Sequence, residues 1–193
     1  MQFEEANNYI LTRLKKDLPA NLYYHNVAHT TDVYDACKRL IIFENIDIAD
    51  INLLLTAACF HDAGFLTQYN EHELISCEIA RHVLPGYGYG THEIDQICSM
   101  IMATQLPQSP GDHLGQILAD ADLDYLGRDD FFLVSNRLYL ELFALGAIKS
   151  LEHWNQVQID FFESHSYFTK TARELRQLKK EEHLKLLKAK IKK

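Results

Sequence analysis

Apolar residues recur at three- and four-residue steps along almost the whole chain, without a convincing run of alternating apolar and polar positions. This pattern predicts an all-α protein, because half-buried strands alternate with a period of two. Gly and Pro total only 12 residues, about half the usual share, which favours long helices. The predicted helices cover about residues 2–17, 26–41, 50–63, 70–84, 92–104, 114–126, 129–146, 150–164 and 167–191.

The most apolar of these predicted helices covers about residues 50–63. Apolar side chains occupy nearly every side of it, so it is expected at the centre of a helical bundle. Gly64 follows directly and is expected to act as the C-cap residue. The apolar positions are Leu53, Leu54, Leu55, Ala57, Ala58, Cys59 and Phe60.

Charge is unevenly distributed along the 193 residues, whose formal net charge is −8. Residues 170–193 carry ten Lys and Arg and three Asp and Glu, a net charge of +7, which leaves −15 for residues 1–169. We therefore predict a helical bundle over residues 1–169 and a basic C-terminal helix over residues 170–193 that extends from the same domain. The acidic body argues against a duplex nucleic-acid partner, because neutralising phosphates requires clustered Lys and Arg.

The ends and cysteines of the chain bear on its location. The first five residues have neither a basic segment nor an apolar run, so no secretory signal is expected. The longest apolar run, near Leu53–Phe60, is far shorter than the roughly 20 residues of a membrane span. The four cysteines lie about 20 residues apart without a Cys-x-x-Cys pair, a spacing typical of buried free thiols. A soluble, cytoplasmic protein without a membrane span is expected.

Three groups of His and Asp are candidates for chemistry. They are the pair His25 and His29, the doublet His61-Asp62, and the alternating residues Asp120, Asp122 and Asp124. Each group has a structural interpretation: a surface or core His pair, a hydrogen-bonded helix end, and helix capping. A buried carboxylate, however, needs a hydrogen bond, an ion pair or a metal. Imidazole and carboxylate together suit Mn, Fe, Mg, Co, Ni or Zn.

The order of these groups along the chain matches a known pattern. The segments are Tyr24-His25-Asn26-Val27-Ala28-His29-Thr30, Ala58-Cys59-Phe60-His61-Asp62-Ala63-Gly64-Phe65 and Leu118-Ala119-Asp120-Ala121-Asp122-Leu123. Together they resemble the HD-domain metal-dependent phosphohydrolases, an all-α superfamily in which a His, a His-Asp doublet and a later Asp bind one divalent metal. The resemblance implies a helical bundle whose metal ligands are His29, His61, Asp62 and Asp122. Asp120 is the alternative to Asp122, because the choice follows the usual Ala-Asp placement of the superfamily.

The resemblance also suggests roles for residues beside these ligands. Asp62 is expected to accept a proton from the attacking water. His25, one turn before His29, is expected to donate to a substrate phosphate, with a structural bond to the backbone as the alternative. The segment Glu71–Ser76 resembles the place where two-metal members carry an additional His, but Met102–Gln105 stands where those members supply another one. We therefore expect one metal, with His72 lining the site or contacting phosphate, and a weaker second metal as the alternative.

The resemblance implies a metal-dependent phosphohydrolase that acts on a phosphoester of a nucleotide or another small phosphorylated metabolite. The metal would lower the pKa of a bound water, so that hydroxide attacks phosphorus near neutral pH. The alternative is a regulatory module with the same fold that binds a nucleotide or a metal with weak or absent turnover. The basic C-terminal helix is expected to pack on the acidic body; a homodimer, another partner or an anionic surface are the alternatives.

Overall fold

The computed structural model describes residues 1–191; the last two lysines, predicted to belong to the C-terminal helix, lie outside the described residues. Within that range the chain forms nine α-helices and no strand, which confirms the all-α prediction. The helices are α1 (Phe3–Asp17), α2 (Val27–Ile41), α3 (Ile48–Phe60), α4 (His72–Val83), α5 (Thr91–Met102), α6 (His113–Asp122), α7 (Phe131–Ala144), α8 (Leu151–Ser164) and α9 (Lys170–Ile191). None of these helices combines the length and hydropathy needed to cross a bilayer.

The helices belong to two compact units. The first unit comprises residues 1–19 and 25–122 and therefore contains α1 to α6. The second comprises residues 20–24 and the described residues from Leu123 onward, with α7 to α9. In the first unit α3 packs against α1, α2, α5 and α6. Residues 53–60 of α3 are all buried, so its apolar surface on all sides is explained by helices that surround it.

The beginning of α2 is defined by a side-chain cap. The carboxamide oxygen of Asn26 accepts a hydrogen bond from the backbone N–H of Ala28 at 2.9 Å. Asparagine is a preferred N-cap residue, because its oxygen satisfies an N–H group that has no partner within the helix. This cap fixes the first turn of α2, which carries His29.

The connection between α3 and α4 differs from the prediction at Gly64. The helix ends at Phe60, its C-cap is His61, and Gly64 lies in a 3₁₀ turn formed by Ala63–Leu66. The prediction of Gly64 as the C-cap is therefore wrong. A Cβ atom at this position would overlap the backbone carbonyl of His72, the first residue of α4. Glycine is required here because α4 approaches the turn closely.

The chain after α6 also departs from the predicted helix of residues 114–126. The helix ends at Asp122, and a separate 3₁₀ turn follows at Asp124–Gly127. The backbone of Arg176 in α9 packs so closely against Gly127 that a Cβ there would overlap it. The close approach of α9 therefore accounts for the glycine within this turn.

The second unit has a core of its own, rich in aromatic side chains. The ring centroids of Tyr24 and Tyr125 lie 5.7 Å apart, and those of Phe131 and Phe162 lie 5.1 Å apart. The helix α9 contributes Leu187, which is fully buried. The core consists of Tyr24, Leu123, Tyr125, Leu126, Phe131, Val134, Ile159, Phe162 and Leu187.

A partly buried ion pair also holds α9 within the second unit. Arg176 donates from Nε and Nη2 to the two carboxylate oxygens of Asp124, at 2.6 and 3.1 Å. Two parallel hydrogen bonds between charged groups fix both the distance and the orientation of the partners. The C-terminal helix is thus held by an apolar residue and a paired charge, while Leu178 on another side of it is 73% exposed.

Candidate metal centre

The candidate side chains identified from the sequence lie at helix ends of the first unit. They are His25 and His29 at the beginning of α2, His61 and Asp62 directly after α3, His72 at the beginning of α4, and Asp122 at the end of α6. At a helix end the backbone leaves the helical path, so the side chains of neighbouring residues are not held at the fixed angle that they have within a helix. The packing of α2 and α6 against α3 brings these ends together.

Three of these residues form a compact group of ligand atoms. One atom each from His29, His61 and Asp122 lies within 4.8 Å of the other two. The Nε2 atom of His29 is 3.3 Å from Nε2 of His61 and 3.1 Å from Oδ1 of Asp122. The distance from His61 Nε2 to the same Asp122 oxygen is 3.6 Å.

Asp62 directs one carboxylate oxygen at the same two histidines. Its Oδ2 atom is 3.3 Å from Nε2 of His61 and 3.4 Å from Nε2 of His29. This oxygen is buried and accepts no hydrogen bond. A buried carboxylate oxygen without a donor destabilises the fold unless positive charge lies beside it. A divalent metal among these four side chains would supply that charge, so the residues present fit a metal ion.

The orientation of His61 makes its Nε2 atom available as a ligand. Its Nδ1 atom donates a hydrogen bond to the backbone carbonyl of Ala58 at 2.8 Å, and a carbonyl oxygen can only accept. In the neutral ring Nε2 therefore has a free lone pair, as in metal-binding histidines whose other nitrogen is held by the backbone. Two imidazoles with two carboxylates form a donor set that suits Mn, Fe, Co, Ni or Zn.

The electrostatics of the metal-free group also call for a cation. Burial disfavours the charged ring of His61, but the carboxylates of Asp62 and Asp122 outweigh burial and raise the pKa of His61 well above its usual value. Burial likewise opposes ionisation of both aspartates, yet His61 holds the pKa of Asp62 well below its usual value, and His29 with His61 lowers that of Asp122. The two carboxylates therefore favour positive charge at this place, which a divalent metal would supply.

His25 and His72 lie beside this group and pack against Phe65. The centroid of the Phe65 ring is 4.4 Å from that of His25 and 4.1 Å from that of His72, with the rings nearly parallel in both pairs. The His25 ring is also 5.9 Å from that of His29. Both imidazoles therefore border the candidate metal centre, and their contacts with substrate stay predictions. Phe65 does not stand out in the sequence, although it follows the His-Asp doublet closely.

His72 is held between two carboxylates. Its Nδ1 atom donates to the backbone carbonyl of Tyr69 at 3.2 Å, and its Nε2 atom lies 3.4 Å from Asp62 Oδ1 and 3.4 Å from Glu73 Oε1. Burial disfavours the charged form of His72, but Asp62 and Glu73 outweigh it and raise the pKa of this histidine. Glu73 is buried as well, so α4 brings both an imidazole and a carboxylate to the centre.

Of the three alternating aspartates, Asp122 is the one that contacts His29 and His61. Residues two apart in a helix point about 200° away from each other, so Asp120 and Asp122 face different sides of α6. Asp120 is fully buried, whereas Asp124 pairs with Arg176 in the second unit. The geometry favours Asp122 over Asp120, and its role as a ligand stays a prediction.

Ser76 is a further residue of the centre that does not stand out in the sequence. Its hydroxyl accepts a hydrogen bond from the backbone N–H of Gly64 at 2.8 Å and donates one to the backbone carbonyl of His61 at 2.7 Å. Ser76 follows His72 by four residues in α4, so both side chains lie on one face of that helix. This spacing is the signal in the sequence that points to it.

Comparisons with known proteins give the fold. No family model matches the sequence. A Clostridium beijerinckii protein described only as uncharacterized is 29% identical over 118 residues, which are 59% of this chain and 73% of that protein. The crystal structure of a predicted HD superfamily hydrolase from an uncultured Thermotogales bacterium matches with a TM-score of 0.61 at 19% identity, over 96% of this chain and 89% of that one. A crystal structure from Lactobacillus plantarum matches with a TM-score of 0.68 at 21% identity, over 98% of each chain. These structural matches establish a shared fold.

Proposed function

We propose that this chain, which has the fold of the HD superfamily, is a metal-dependent phosphohydrolase. The proposed substrate is a phosphoester of a nucleotide or of another small phosphorylated metabolite. The observation that carries the proposal is the convergence of His29, His61 and Asp122 within 4.8 Å. The buried oxygen of Asp62, which accepts no hydrogen bond, supports a fourth ligand on the same ion.

The metal and the side chains around it would have different roles in the reaction. When bound, the divalent metal would act as a Lewis acid and lower the pKa of a water molecule. Asp62 is proposed to take the proton of the attacking water. His72, whose Nε2 lies 3.4 Å from Asp62 Oδ1, would hold that carboxylate in one orientation. Pre-oriented groups of this kind need no reorganisation during the reaction, which lowers its barrier.

His25 and His72 are proposed to bind the phosphate. Residues 1–169 carry a net charge of −15, so an anionic substrate is repelled unless positive groups act locally. The two imidazoles, with centroids 6.1 Å apart, border the proposed metal site and can donate hydrogen bonds to phosphate oxygens. Hydrogen bonds from imidazole to phosphate would thus complement the metal in offsetting the acidic body.

The first experiment combines metal analysis with a substrate panel. Purified protein is analysed for bound metal, loaded with Mn, Co, Ni or Mg, and assayed on mono-, di- and cyclic nucleotides and on simple phosphodiesters. We expect about one ion per chain and hydrolysis of at least one phosphoester. His61→Ala should lose both, whereas His92→Ala, at an exposed position of the same unit, should keep both. Protein that binds no metal and is inert across the panel would refute the proposal.

A second experiment separates an enzyme from a regulatory module. Asp62→Ala should abolish turnover while circular dichroism still reports the helical content of wild type. Nucleotide binding without turnover in wild type would instead indicate the regulatory alternative. A stoichiometry of two ions per chain would indicate a second metal, for which His72, Asp62 and Glu73 are the nearest ligand set.

A further inference from the structure

Ser76 links α4 to the turn that carries two of the proposed metal ligands. Its hydroxyl group is fully buried and makes two hydrogen bonds. It accepts one from the backbone N–H of Gly64 and donates one to the backbone carbonyl of His61. The two bonded groups flank Asp62 in the chain. The hydroxyl therefore binds both ends of the segment from His61 to Gly64.

The orientation of this segment matters more than that of an ordinary turn. His61 and Asp62 are neighbours, and neighbouring side chains in a helix point about 100° apart. Both can face His29 only because the backbone leaves α3 here: Asp62 has φ −103° and ψ 10°, outside the helical region. The backbone groups that the end of α3 leaves unpaired include the His61 carbonyl, for which Ser76 is the donor.

A second contact between α4 and this turn acts in the same direction. The carbonyl of His72 packs directly against Gly64, where a Cβ atom would not fit. His72 and Ser76 are four residues apart, so the first turn of α4 meets the segment at two places one helical turn apart. Rotation of the segment would break the hydrogen bonds of Ser76 or force Gly64 into the His72 backbone.

We propose that Ser76 is a positioning residue of the metal centre, which holds the His61-Asp62 turn in the conformation that directs both side chains at the metal. This inference rests on the proposed metal site and assigns Ser76 no contact with metal or substrate. Loss of such an outer-sphere hydrogen bond lowers metal affinity by about 10–100-fold in well-studied sites. We expect an effect of this size for Ser76→Ala.

The test uses crystal structures and metal titrations of three proteins: wild type, Ser76→Ala and Ser135→Ala. Ser135 is the matched control, because its hydroxyl is also buried and donates a side-chain hydrogen bond, to Gln158 at 2.5 Å in the second unit. Structures are determined without added metal, and the distance from His61 Nε2 to His29 Nε2, which is 3.3 Å in wild type, is measured. Titration with Mn²⁺ then gives the dissociation constant.

In Ser76→Ala we expect the His61-Asp62 turn to shift by more than about 0.5 Å, the tolerance of a preorganised site, or to become disordered. We also expect Mn²⁺ affinity to fall, with Ser135→Ala like wild type in both respects. An unmoved turn with unchanged affinity would overturn the inference, as would an equal loss of affinity in Ser135→Ala. If Ser76→Ala does not fold, Ser76→Cys, which keeps a weaker donor, takes its place. If wild type binds none of Mn²⁺, Co²⁺, Ni²⁺ and Mg²⁺, the proposed metal site is refuted, while the structures would still decide the role of Ser76.

Discussion

The Nε2 atoms of His29 and His61 lie 3.3 Å apart, although 32 residues separate the two histidines in the chain. Both rings are buried, and Asp62 and Asp122 each place a carboxylate oxygen within 3.6 Å of the two nitrogens. At most one hydrogen can lie between the two nitrogens. The space between the two rings and the two carboxylates is therefore lined by lone pairs and by negatively charged oxygens. The expected consequences for metal binding, packing and pH dependence can each be measured.

Loss of an outer-sphere partner lowers metal affinity by about 10–100-fold. Asp122→Asn is expected to lower it further, because the amide removes the negative charge that faces His29 and His61. The matched control is Asp120→Asn, the same change on another side of α6. Because Asp120 is fully buried, that variant should lose roughly 1–3 kcal/mol of stability but retain the metal. Titration calorimetry with Mn²⁺ and thermal unfolding measure both properties. The opposite result, with metal lost only in Asp120→Asn, would transfer the ligand role to Asp120.

Gly64→Ala is expected to reduce the free energy of unfolding by about 1–3 kcal/mol, because the new methyl group overlaps the His72 carbonyl and α4 must move. Gly86→Ala is the control, since a Cβ there meets no atom within 4 Å and the backbone has no left-handed φ. It should be neutral or more stable by about 0.4–1 kcal/mol through lower entropy of the unfolded chain. Urea unfolding of both variants provides the comparison, and equal stabilities would contradict the close packing described for Gly64.

His165 should make folding stability depend on pH in the acidic range. Burial and then the charge of Lys180 lower its pKa from 6.5 to about 3, and its two ring nitrogens are buried without a hydrogen-bond partner. The unfolded chain takes up a proton near pH 6.5, whereas the folded chain does so only near pH 3. Stability is therefore expected to fall as the pH is lowered through this window, by up to about 1.4 kcal/mol per pH unit from this residue.

His165→Phe removes this titration and keeps an aromatic ring beside Phe161 and Tyr167. Urea unfolding of wild type and variant between pH 7 and pH 4 is the measurement. The variant should lose less stability than wild type as the pH falls, while carboxylates elsewhere titrate equally in both. Parallel curves would show that the pKa of His165 does not differ between the folded and the unfolded chain.

Leu187→Ala is expected to destabilise the protein by about 2–5 kcal/mol, because this side chain is fully buried in the core of the second unit. Leu178→Ala is the matched control on the same helix, since Leu178 is 73% exposed and its loss should change stability by less than about 0.5 kcal/mol. Thermal unfolding distinguishes the two variants. A similar small effect of both would mean that α9 does not contribute to the core.

The sequence was sufficient for the helices and for the His and Asp residues of the proposed centre, but not for Phe65, Glu73 and Ser76 beside them. Helical periodicity depends only on residues three and four apart, so all nine helices could be placed, with ends that shift where a cap or a 3₁₀ turn intervenes. Gly64 shows the limit of such local reasoning. A glycine after an apolar helix predicts a C-cap, but its actual reason is contact with the His72 backbone eight residues later.

By itself the sequence determined that this is an all-α protein, because helical periodicity is local. The candidates for metal chemistry came from residue type and from the order of the motifs, which resembles that of the HD superfamily. Only the tertiary structure decided which of these groups meet. The face of α6 that turns towards His29 selects Asp122 over Asp120, and the approach of α4 brings Glu73 and Ser76 to the centre. These distances depend on how helices pack against α3, and that packing arises from burial of apolar surface between segments remote in the chain.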